Sequence, residues 1–254
     1  MSGRTGKARG GPNPRKVASP ARPTQSRRGM LLAGAALVAV LAVVVAAGVL
    51  YQRSQSQPIN DGYGTSRSAA VTVSDGVVRV GAVSAPVTLE LFEDFLCPNC
   101  GAFETVYGQQ LAQSLDQGTV AINYHFLDFL NDRSASKDYS SRAAGAALCV
   151  TQDGSGSAFP AFHAALYAGA TQPKESSGSD LSNAQLAAVA AGVGASTSAQ
   201  QCITAGAETA AARTASQAGQ TALQASGNQV ATPTVLNGST KINTNDRNWL
   251  SKLP

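Results

Sequence analysis

The sequence contains few of the residues that metal sites and hydrolases need. Its 254 residues include only two histidines, His125 and His163, and four cysteines. Neither histidine stands at metal-ligand spacing from a cysteine pair, so we expect no four-ligand zinc site and favour structural roles for both. The chain also lacks a glycine-rich phosphate loop and a Gly-x-Ser-x-Gly elbow. The sequence therefore predicts neither a metal ion nor an organic cofactor.

Acidic residues are absent from the first 29 positions, which hold eight of the 19 lysines and arginines. The remaining chain carries 11 basic and 15 acidic residues, so it is mildly acidic and offers no basic face for nucleic acid. We interpret the basic segment as a membrane-topology signal. Binding of this tail to nucleic acid or to anionic lipid is the alternative interpretation.

Charged residues are also absent from residues 30–50, a run made mostly of Ala, Val, Leu and Gly. About 20 such residues suffice to cross a bilayer. The basic residues before the run predict a cytoplasmic N-terminus and an extracytoplasmic position for everything after it. A cleaved signal peptide is the alternative, although Tyr51 and Arg53 do not suit a small-residue cleavage site. We therefore predict a transmembrane helix that anchors the protein in the cell membrane by a single pass.

Composition divides the rest of the chain. Residues 1–29 are expected to form a disordered cytoplasmic tail, and residues 51–70, which are rich in polar residues and glycine, a linker. Residues 71–254 are numerous enough to bury a core of their own. Within them, residues from about 134 to 226 are dominated by Ala, Ser, Gln and Gly, and they predict a helical insert.

The Cys-Pro-Asn-Cys motif at residues 97–100 stands between a strand-like apolar run and a helical pattern. Pro98 suits the first helical position, which places Cys97 at the N-cap. Free N–H groups and the positive end of the helix dipole stabilise a thiolate there, so we expect a lowered pKa for Cys97 and attack by its sulfur. Cys100, one turn further on, is placed to resolve a mixed disulfide. The motif therefore predicts redox chemistry.

The flanking patterns predict a mixed α/β domain. Strands are predicted over residues 77–80, 87–95, 120–130 and 230–236, followed by a hairpin turn at Asn237-Gly238. Helices are predicted in the insert over residues 137–151, 158–169, 180–192 and 198–225, with Asp180 and Ser198 as N-caps. A short final helix is predicted over residues 245–253.

This order of elements resembles the thioredoxin-fold DsbA family of disulfide oxidoreductases. The likeness covers roughly residues 76–250. It rests on the cysteine motif, on the Ala-Thr-Pro-Thr segment at 231–234 before a hairpin, and on the Phe-His-Ala-Ala-Leu-Tyr segment at 162–167. The resemblance implies a thioredoxin fold with an inserted helical domain, here preceded by one transmembrane helix.

The resemblance also implies roles for individual residues. In the family, the proline of the Thr-Pro step is cis and packs beside the cysteine pair, and the matching residue here is Pro233. Its neighbour Thr232, together with Pro98 and Asn99, is then expected to contact the substrate. An ordinary trans proline that opens an edge strand is the alternative for Pro233.

Two positions depart from the family pattern. Many members carry a buried carboxylate six residues before the first cysteine, where this chain has Leu91. Glu93 shares the strand face of Leu91 if the strand is regular, but Glu93 and Glu90 both also suit a solvated strand end, so a part of either in proton transfer stays open. Asn99 stands where strongly oxidising members often have histidine, which favours a less oxidising couple.

Cys149 and Cys202 both fall in the predicted insert. In an exported domain an even number of cysteines favours a second disulfide, and pairing either residue with Cys97 or Cys100 would disable the motif. We therefore predict a structural disulfide between Cys149 and Cys202. Two unpaired core cysteines are the alternative.

Together these features predict a membrane-anchored, exported thiol–disulfide oxidoreductase. Its expected partners are cysteine-containing exported proteins and a membrane redox partner that reoxidises it, with no nucleic acid. A membrane-tethered thiol reductase, for example one that serves cytochrome maturation, is the alternative enzyme, because the direction depends on a reduction potential. A redox-inert thioredoxin-like binding module is a third hypothesis, and it is disfavoured because a structural staple gains nothing from a stabilised thiolate.

Overall fold

The computed structural model describes residues 27–152 and 158–254, with side chains from residue 37 onward. These residues fall into two units that divide between Tyr51 and Gln52. In the described residues, the smaller unit consists of the first helix up to Tyr51. The larger unit contains the sheet and the helices that follow.

The first helix, α1 (Arg27–Gln55), includes the run predicted to cross a membrane. Among the described residues, it is the one helix long and apolar enough to span a bilayer, judged by length and composition. Residues 1–26 of the predicted basic tail lie outside the described residues, and residues 27–29 begin the helix.

A six-stranded sheet forms the centre of the larger unit, in the order β1-β2-β4-β3-β5-β6. Only β3 and β4 run parallel, and the other neighbouring strands are antiparallel. The first strand was not predicted, and a turn with positive φ at Asp75 and Gly76 joins it to the second. The strands are β1 (Val71–Ser74), β2 (Val77–Val80), β3 (Val87–Glu93), β4 (Val120–Phe126), β5 (Thr234–Asn237) and β6 (Thr240–Lys241).

Six helices accompany this sheet in the described part of the chain. The first of them connects β3 to β4, as expected for a parallel crossover. The helices are α2 (Pro98–Asp116), α3 (Tyr139–Gln152), α4 (Phe159–Tyr167), α5 (Asn183–Gly192), α6 (Thr197–Ala205) and α7 (Thr209–Ala225).

The central strand β3 is buried on both faces because helices cover both sides of it. Leu89 and Leu91 belong to the main core, which includes side chains of α2 and α4. Phe92 faces the opposite side and packs in a second cluster with Leu223 of α7. Since side chains alternate along a strand, Glu93 lies on the face of Leu91, toward α2 and α4.

Two helix predictions were wrong. The predicted helix over 198–225 is broken at Gly206, which adopts the left-handed conformation with φ of 64°. Glycine takes this conformation without steric cost, so it ends α6 and lets α7 start in a new direction. The predicted final helix shrinks to a single 3₁₀ turn, Leu250–Lys252.

The predicted N-caps are displaced by two residues in the insert. Ser182 and Ser196 accept the capping hydrogen bonds of α5 and α6, in place of Asp180 and Ser198. The Asp180 carboxylate instead accepts from the Arg142 guanidinium at 2.8 Å. The carboxylate therefore anchors the loop before α5 to α3.

The segment predicted as a linker contacts the C-terminal end of α2. The Asp116 carboxylate accepts hydrogen bonds from the hydroxyls of Ser66 at 2.6 Å and Tyr63 at 2.9 Å. It also accepts from the backbone N–H groups of Arg67, Ser68 and Ala69. The predicted domain boundaries, including the one at residue 70, remain a prediction.

Candidate active site

The cysteine motif lies where β3 delivers the chain into α2. Cys97 is the N-cap residue with an extended backbone, and Pro98 occupies the first turn. Both cysteines are free thiols. Cys97 keeps 5% of its surface exposed and Cys100 none, so only the first sulfur has an edge toward solvent. Pro98 and Asn99 between them are exposed.

The two thiols have opposite electrostatic surroundings. A hydrogen bond from the Cys100 thiol, aided by the backbone N–H groups of Cys100 and Asn99, lowers the pKa of Cys97 from 9.0 to about 6, although partial burial opposes this. Burial raises the pKa of Cys100 well above its usual range, and the hydrogen bond that its thiol donates to Cys97 adds to that rise. Near neutral pH, Cys97 is therefore the nucleophilic thiolate and Cys100 a protonated thiol.

Thr232 and Pro233 lie directly beside Cys97. The Thr232–Pro233 peptide bond is cis. The Cys97 sulfur lies 3.4 Å from the carbonyl oxygen of Thr232, which accepts its hydrogen when the thiol is protonated. Four residues that the sequence analysis selected therefore lie together, namely Cys97, Cys100, Thr232 and Pro233. Pro98 and Asn99 form the exposed edge of this site.

Two residues that sequence reasoning missed hold the loop before Cys97. The buried Asp94 carboxylate accepts from the N–H groups of Leu96 at 2.9 Å and Leu130 at 3.1 Å. From the insert, the Gln172 amide donates to the carbonyl oxygens of Phe95 at 3.2 Å and Cys97 at 2.9 Å. Asp94 also accepts from the Ser140 hydroxyl at 2.6 Å. No motif marks Asp94 or Gln172, because Leu130, Ser140 and the backbone that Gln172 bonds are brought near only by the fold.

The structure places Glu90 and Glu93, whose part in proton transfer the sequence did not decide, on opposite faces of β3. Glu90 lies on the outer face of β3, where its carboxylate bonds His125 at 2.6 Å and accepts from Asn123 at 2.8 Å. Glu93 is completely buried, and its Oε2 lies 2.8 Å from Nε2 of His163 in α4. Only Glu93 therefore lies on the side of the cysteine pair.

A second acidic residue, Glu104, lies near His163 on the side opposite Glu93. Oε2 of Glu104 lies 3.9 Å from Nδ1 of His163. Glu93, Glu104 and His163 each offer a donor atom within 4.8 Å of the others, a set that could hold a metal ion. Glu104 carried no sequence signal, and His163 was assigned only a structural role.

The second cysteine pair lies away from this site, in the insert. Cys149 of α3 and Cys202 of α6 are joined by a disulfide, with their Cα atoms 5.8 Å apart. Cys149 is fully buried among small residues of the insert. This bond ties the two helices together through cysteines that are 53 residues apart in the chain.

A cysteine pair at the start of the crossover helix, with a cis-proline beside it, defines the larger unit as a thioredoxin-fold redox domain. A family model described as Thioredoxin matches residues 73–253. The chain therefore belongs to this family.

Solved structures place the chain among the DsbA-like members. The MdbA protein of Corynebacterium diphtheriae, a thiol-disulfide oxidoreductase, is 25% identical with a TM-score of 0.66, covering 76% of this chain and 96% of that chain. Reduced DsbA from Mycobacterium tuberculosis is 31% identical with a TM-score of 0.57, and the match covers 66% of this chain and 85% of that chain. The predicted fold and the predicted DsbA-like resemblance are confirmed.

A curated relative is much longer than this chain. The serine/threonine-protein kinase PknE of Mycobacterium tuberculosis is 38% identical over 182 residues, which is 71% of this chain. The matched region spans only 32% of that protein, about a third of its length.

Proposed function

We propose that this protein is an extracytoplasmic thiol–disulfide oxidoreductase that forms or exchanges disulfides in exported proteins. The observation that carries the proposal is the contrast between the two sulfurs of the motif. Cys97 has an exposed edge and a pKa lowered to about 6, while Cys100 is buried with a raised pKa. The similarity to MdbA and DsbA supports the same activity.

The reaction starts from the oxidised Cys97–Cys100 disulfide. A substrate thiolate attacks the Cys97 sulfur, a mixed disulfide forms, and the Cys100 sulfur leaves with the electron pair and takes up a proton. The second thiolate of the substrate then attacks the mixed disulfide and expels Cys97, which leaves as a thiolate. The substrate gains a disulfide and the enzyme gains two electrons, which a membrane redox partner must remove.

The exposed edge of the motif supplies the surface for the substrate. The Cys97 sulfur is surrounded by Pro98, Asn99 and the Thr232–Pro233 step. A cysteine-containing chain that lies across these residues can bring its thiolate to the Cys97 sulfur. We assign Pro98, Asn99 and Thr232 to substrate binding, and Pro233, packed against the reacting pair, to the catalytic group with Cys97 and Cys100.

A mixed-disulfide trap tests this assignment. In membranes, Cys100→Ala removes the resolving sulfur, so disulfide-linked adducts with exported proteins should accumulate on Cys97. Cys97→Ala should accumulate few, and the double variant Cys97→Ala/Cys100→Ala serves as the matched control for adducts that do not depend on the motif. The reverse pattern, with adducts on Cys100, would show that the two roles are exchanged.

The proposed topology has a cytoplasmic N-terminus, one membrane-spanning helix and an external redox domain. The support is the basic flank before the apolar run, together with a helix long enough to span a bilayer. Protease added to spheroplasts should digest the redox domain. Protection of the domain until the membrane is lysed would contradict the orientation.

The direction of electron flow is a matter of reduction potential. An oxidase has a higher reduction potential than the disulfides of its exported substrates, and a reductase has a lower one. For two electrons, a difference of about 30 mV corresponds to 1.4 kcal/mol. Equilibration of the Cys97–Cys100 couple with glutathione buffers measures this directly. We expect an oxidising couple because the lowered pKa of Cys97 stabilises the reduced state.

A further inference from the structure

Three side chains from three different elements meet on the face of β3 that is covered by α2 and α4. Glu93 ends β3, Glu104 lies in α2 and His163 lies in α4. Each offers one ligand atom, and these three atoms lie within 4.8 Å of one another. No spacing pattern in the sequence joins them, because Glu93 and His163 are 70 residues apart. Only the fold brings two carboxylates and an imidazole into one small volume.

The two carboxylates have no lysine or arginine beside them. Glu93 is completely buried, and the Glu104 side chain keeps only 9% of its surface exposed. Among residues 37–152 and 158–254, neither forms an ion pair with a lysine or an arginine. Burying a carboxylate is costly unless a cation or hydrogen bonds compensate it. With one imidazole as its basic member, the group is short of positive charge.

Three buried oxygen atoms in this region also lack a hydrogen-bond partner among the described residues. They are Oε1 of Glu93, Oε1 of Glu104 and the hydroxyl of Tyr167. The Tyr167 ring packs edge-on against the His163 imidazole, with the ring centroids 5.1 Å apart. Burial raises the pKa of Tyr167 well above its usual range, and the nearby charges that add to this rise include those of Glu93 and Glu104. Buried polar atoms without partners that cluster in this way indicate a place for a further ligand.

A cavity of about 380 Å³ gives access to the three side chains. It lies between α2, α4 and the segment at residues 61–66, and Glu104 and His163 both line it. Residues 97–100 do not line it, so a solute reaches the group without crossing the proposed substrate surface. Gly108, one turn after Glu104, leaves space for this carboxylate, since a Cβ there would lie 2.9 Å from its Oε2.

The donor atoms define the kind of ligand. Imidazole nitrogen and carboxylate oxygen are the usual protein ligands of divalent transition metals, and zinc binds them at about 2.0–2.2 Å. Calcium and magnesium prefer oxygen ligands alone, and copper(I) prefers sulfur, so the imidazole and the carboxylates disfavour these ions. An organic amine in the cavity would not reach Glu93, which does not line it. The set therefore fits a small divalent ion.

We propose that Glu93, Glu104 and His163 form a binding site for one divalent transition-metal ion, with zinc as the expected occupant. The inference goes beyond the proposed function and does not depend on it. Ligand atoms that share a zinc ion lie roughly 3–3.5 Å apart, so the Glu104 carboxylate closes toward the other two when the ion binds. The cavity beside Glu104 leaves space for this movement and for water on the ion. The bound ion ties β3, α2 and α4 together and should stabilise the folded state.

The experiment measures zinc binding to the full-length protein in detergent. The Cys97–Cys100 pair is kept oxidised, so that neither thiol of the motif binds zinc. The protein is stripped with a chelator, loaded with zinc chloride and desalted, and zinc per chain is counted by elemental mass spectrometry. We expect one zinc ion per chain in the wild type. Zinc should also raise the midpoint of urea unfolding, because it binds the folded state.

Substitutions then locate the bound ion. Glu104→Gln keeps the size of the side chain but removes a charged ligand, so it should weaken zinc binding at least about tenfold and abolish the shift of the urea midpoint. Glu93→Gln should act in the same way, and it repeats the test if Glu104→Gln does not fold. Glu90→Gln is the matched control, because Glu90 bonds His125 on the other face of β3, and it should leave zinc affinity unchanged.

Three outcomes overturn the site. In the first, the oxidised wild type retains no zinc and its urea midpoint does not move, which would assign water to the unbonded oxygens. In the second, Glu104→Gln and Glu93→Gln bind zinc as tightly as the wild type. In the third, Glu90→Gln loses the zinc, which would assign the ion to the pair of Glu90 and His125. A protein that transfers disulfides but retains no zinc would overturn the site and leave the proposed function intact, and a protein that retains zinc but transfers no disulfide would do the reverse.

Discussion

The two cysteine pairs of this chain have opposite surroundings. Cys97 and Cys100 lie at the N-terminal end of α2, where backbone N–H groups and a neighbouring thiol stabilise negative charge on one sulfur. Cys149 and Cys202 lie within α3 and α6, away from either helix N-terminus, and are already bonded to each other. The first pair is the reactive one because a free neighbouring thiol and the N–H groups of the helix end both stabilise negative charge on the Cys97 sulfur.

The two regions also differ in how they are packed. The sheet and α2 bury large aromatic and branched side chains, such as Phe92, Tyr107 and Leu111. The insert buries mainly alanine, as α3 shows with Ala143, Ala144, Ala146 and Ala147. Small side chains bury less apolar area per residue, so a covalent link contributes proportionally more in the insert.

The largest expected effect comes from removing the disulfide of the insert. Closing a loop of 53 residues contributes at most about 4 kcal/mol in the chain-entropy account. The double variant Cys149→Ala/Cys202→Ala should therefore lose up to about 4 kcal/mol of unfolding free energy in urea. It should still alkylate Cys97 at the wild-type rate in the folded state.

A loss of Cys97 reactivity in that double variant, at temperatures where the fold is intact, would break the comparison. It would mean that the insert disulfide sets the electrostatics of the motif. Peptide mapping without reductant, which should find residues 149 and 202 linked, is the control for the starting state.

A smaller effect is expected at Gln172, which links the two regions. Its amide donates two hydrogen bonds to the loop before α2, and each is worth about 1 kcal/mol net. Gln172→Ala should thus destabilise the folded state by about 2 kcal/mol and slow attack at Cys97, because the N-cap is held less firmly. Gln201→Ala, on an exposed position of α6, is the matched control.

The smallest effect is expected at Asp116, at the opposite end of α2. Burial opposes ionisation, but hydrogen bonds from Ser66, Ser68 and Arg67 hold the pKa of Asp116 well below its usual range. A lowered folded-state pKa contributes stability that is present above the ordinary aspartate pKa and is lost as pH falls through the folded value. Asp116→Asn should cost about 1 kcal/mol at neutral pH and less in acid.

Hydrogen exchange at Arg67, Ser68 and Ala69 measures the change locally, since their N–H groups bond this carboxylate. Exchange there should speed up in Asp116→Asn, while Cys97 keeps its pH profile. A shift of that profile would show that the two ends of α2 are coupled, which the account does not expect.

Secondary structure was predicted best where the local sequence signals agree with the tertiary packing. Two features, Pro98 after Cys97 and an apolar strand before the motif, favour the same strand–helix–strand unit, and the structure contains this unit. The break at Gly206 was missed because the surrounding residues are strong helix formers, and a single glycine inside such a pattern is often tolerated.

The sequence could not indicate the partners of Glu93. Whether this side chain faces the core depends on strand register, and His163 and Glu104 come from two helices that only the fold brings together. Asp94 and Gln172 were missed for a related reason, since Asp94 bonds Leu130 and Ser140 and Gln172 bonds the loop before α2, all distant in the chain. Long-range polar contacts of this kind leave no periodic pattern in a sequence.

The pH dependence of Cys97 alkylation tests the central claim most directly. The reduced protein is treated with iodoacetamide across pH 4 to 10, and each cysteine is followed by peptide mass spectrometry. The account predicts a half-maximal rate at Cys97 near pH 6, little reaction at Cys100 over the same range, and a return of both to ordinary thiol behaviour in urea. A midpoint for Cys97 near 9.0, the ordinary value for a thiol, or faster alkylation of Cys100 would contradict it.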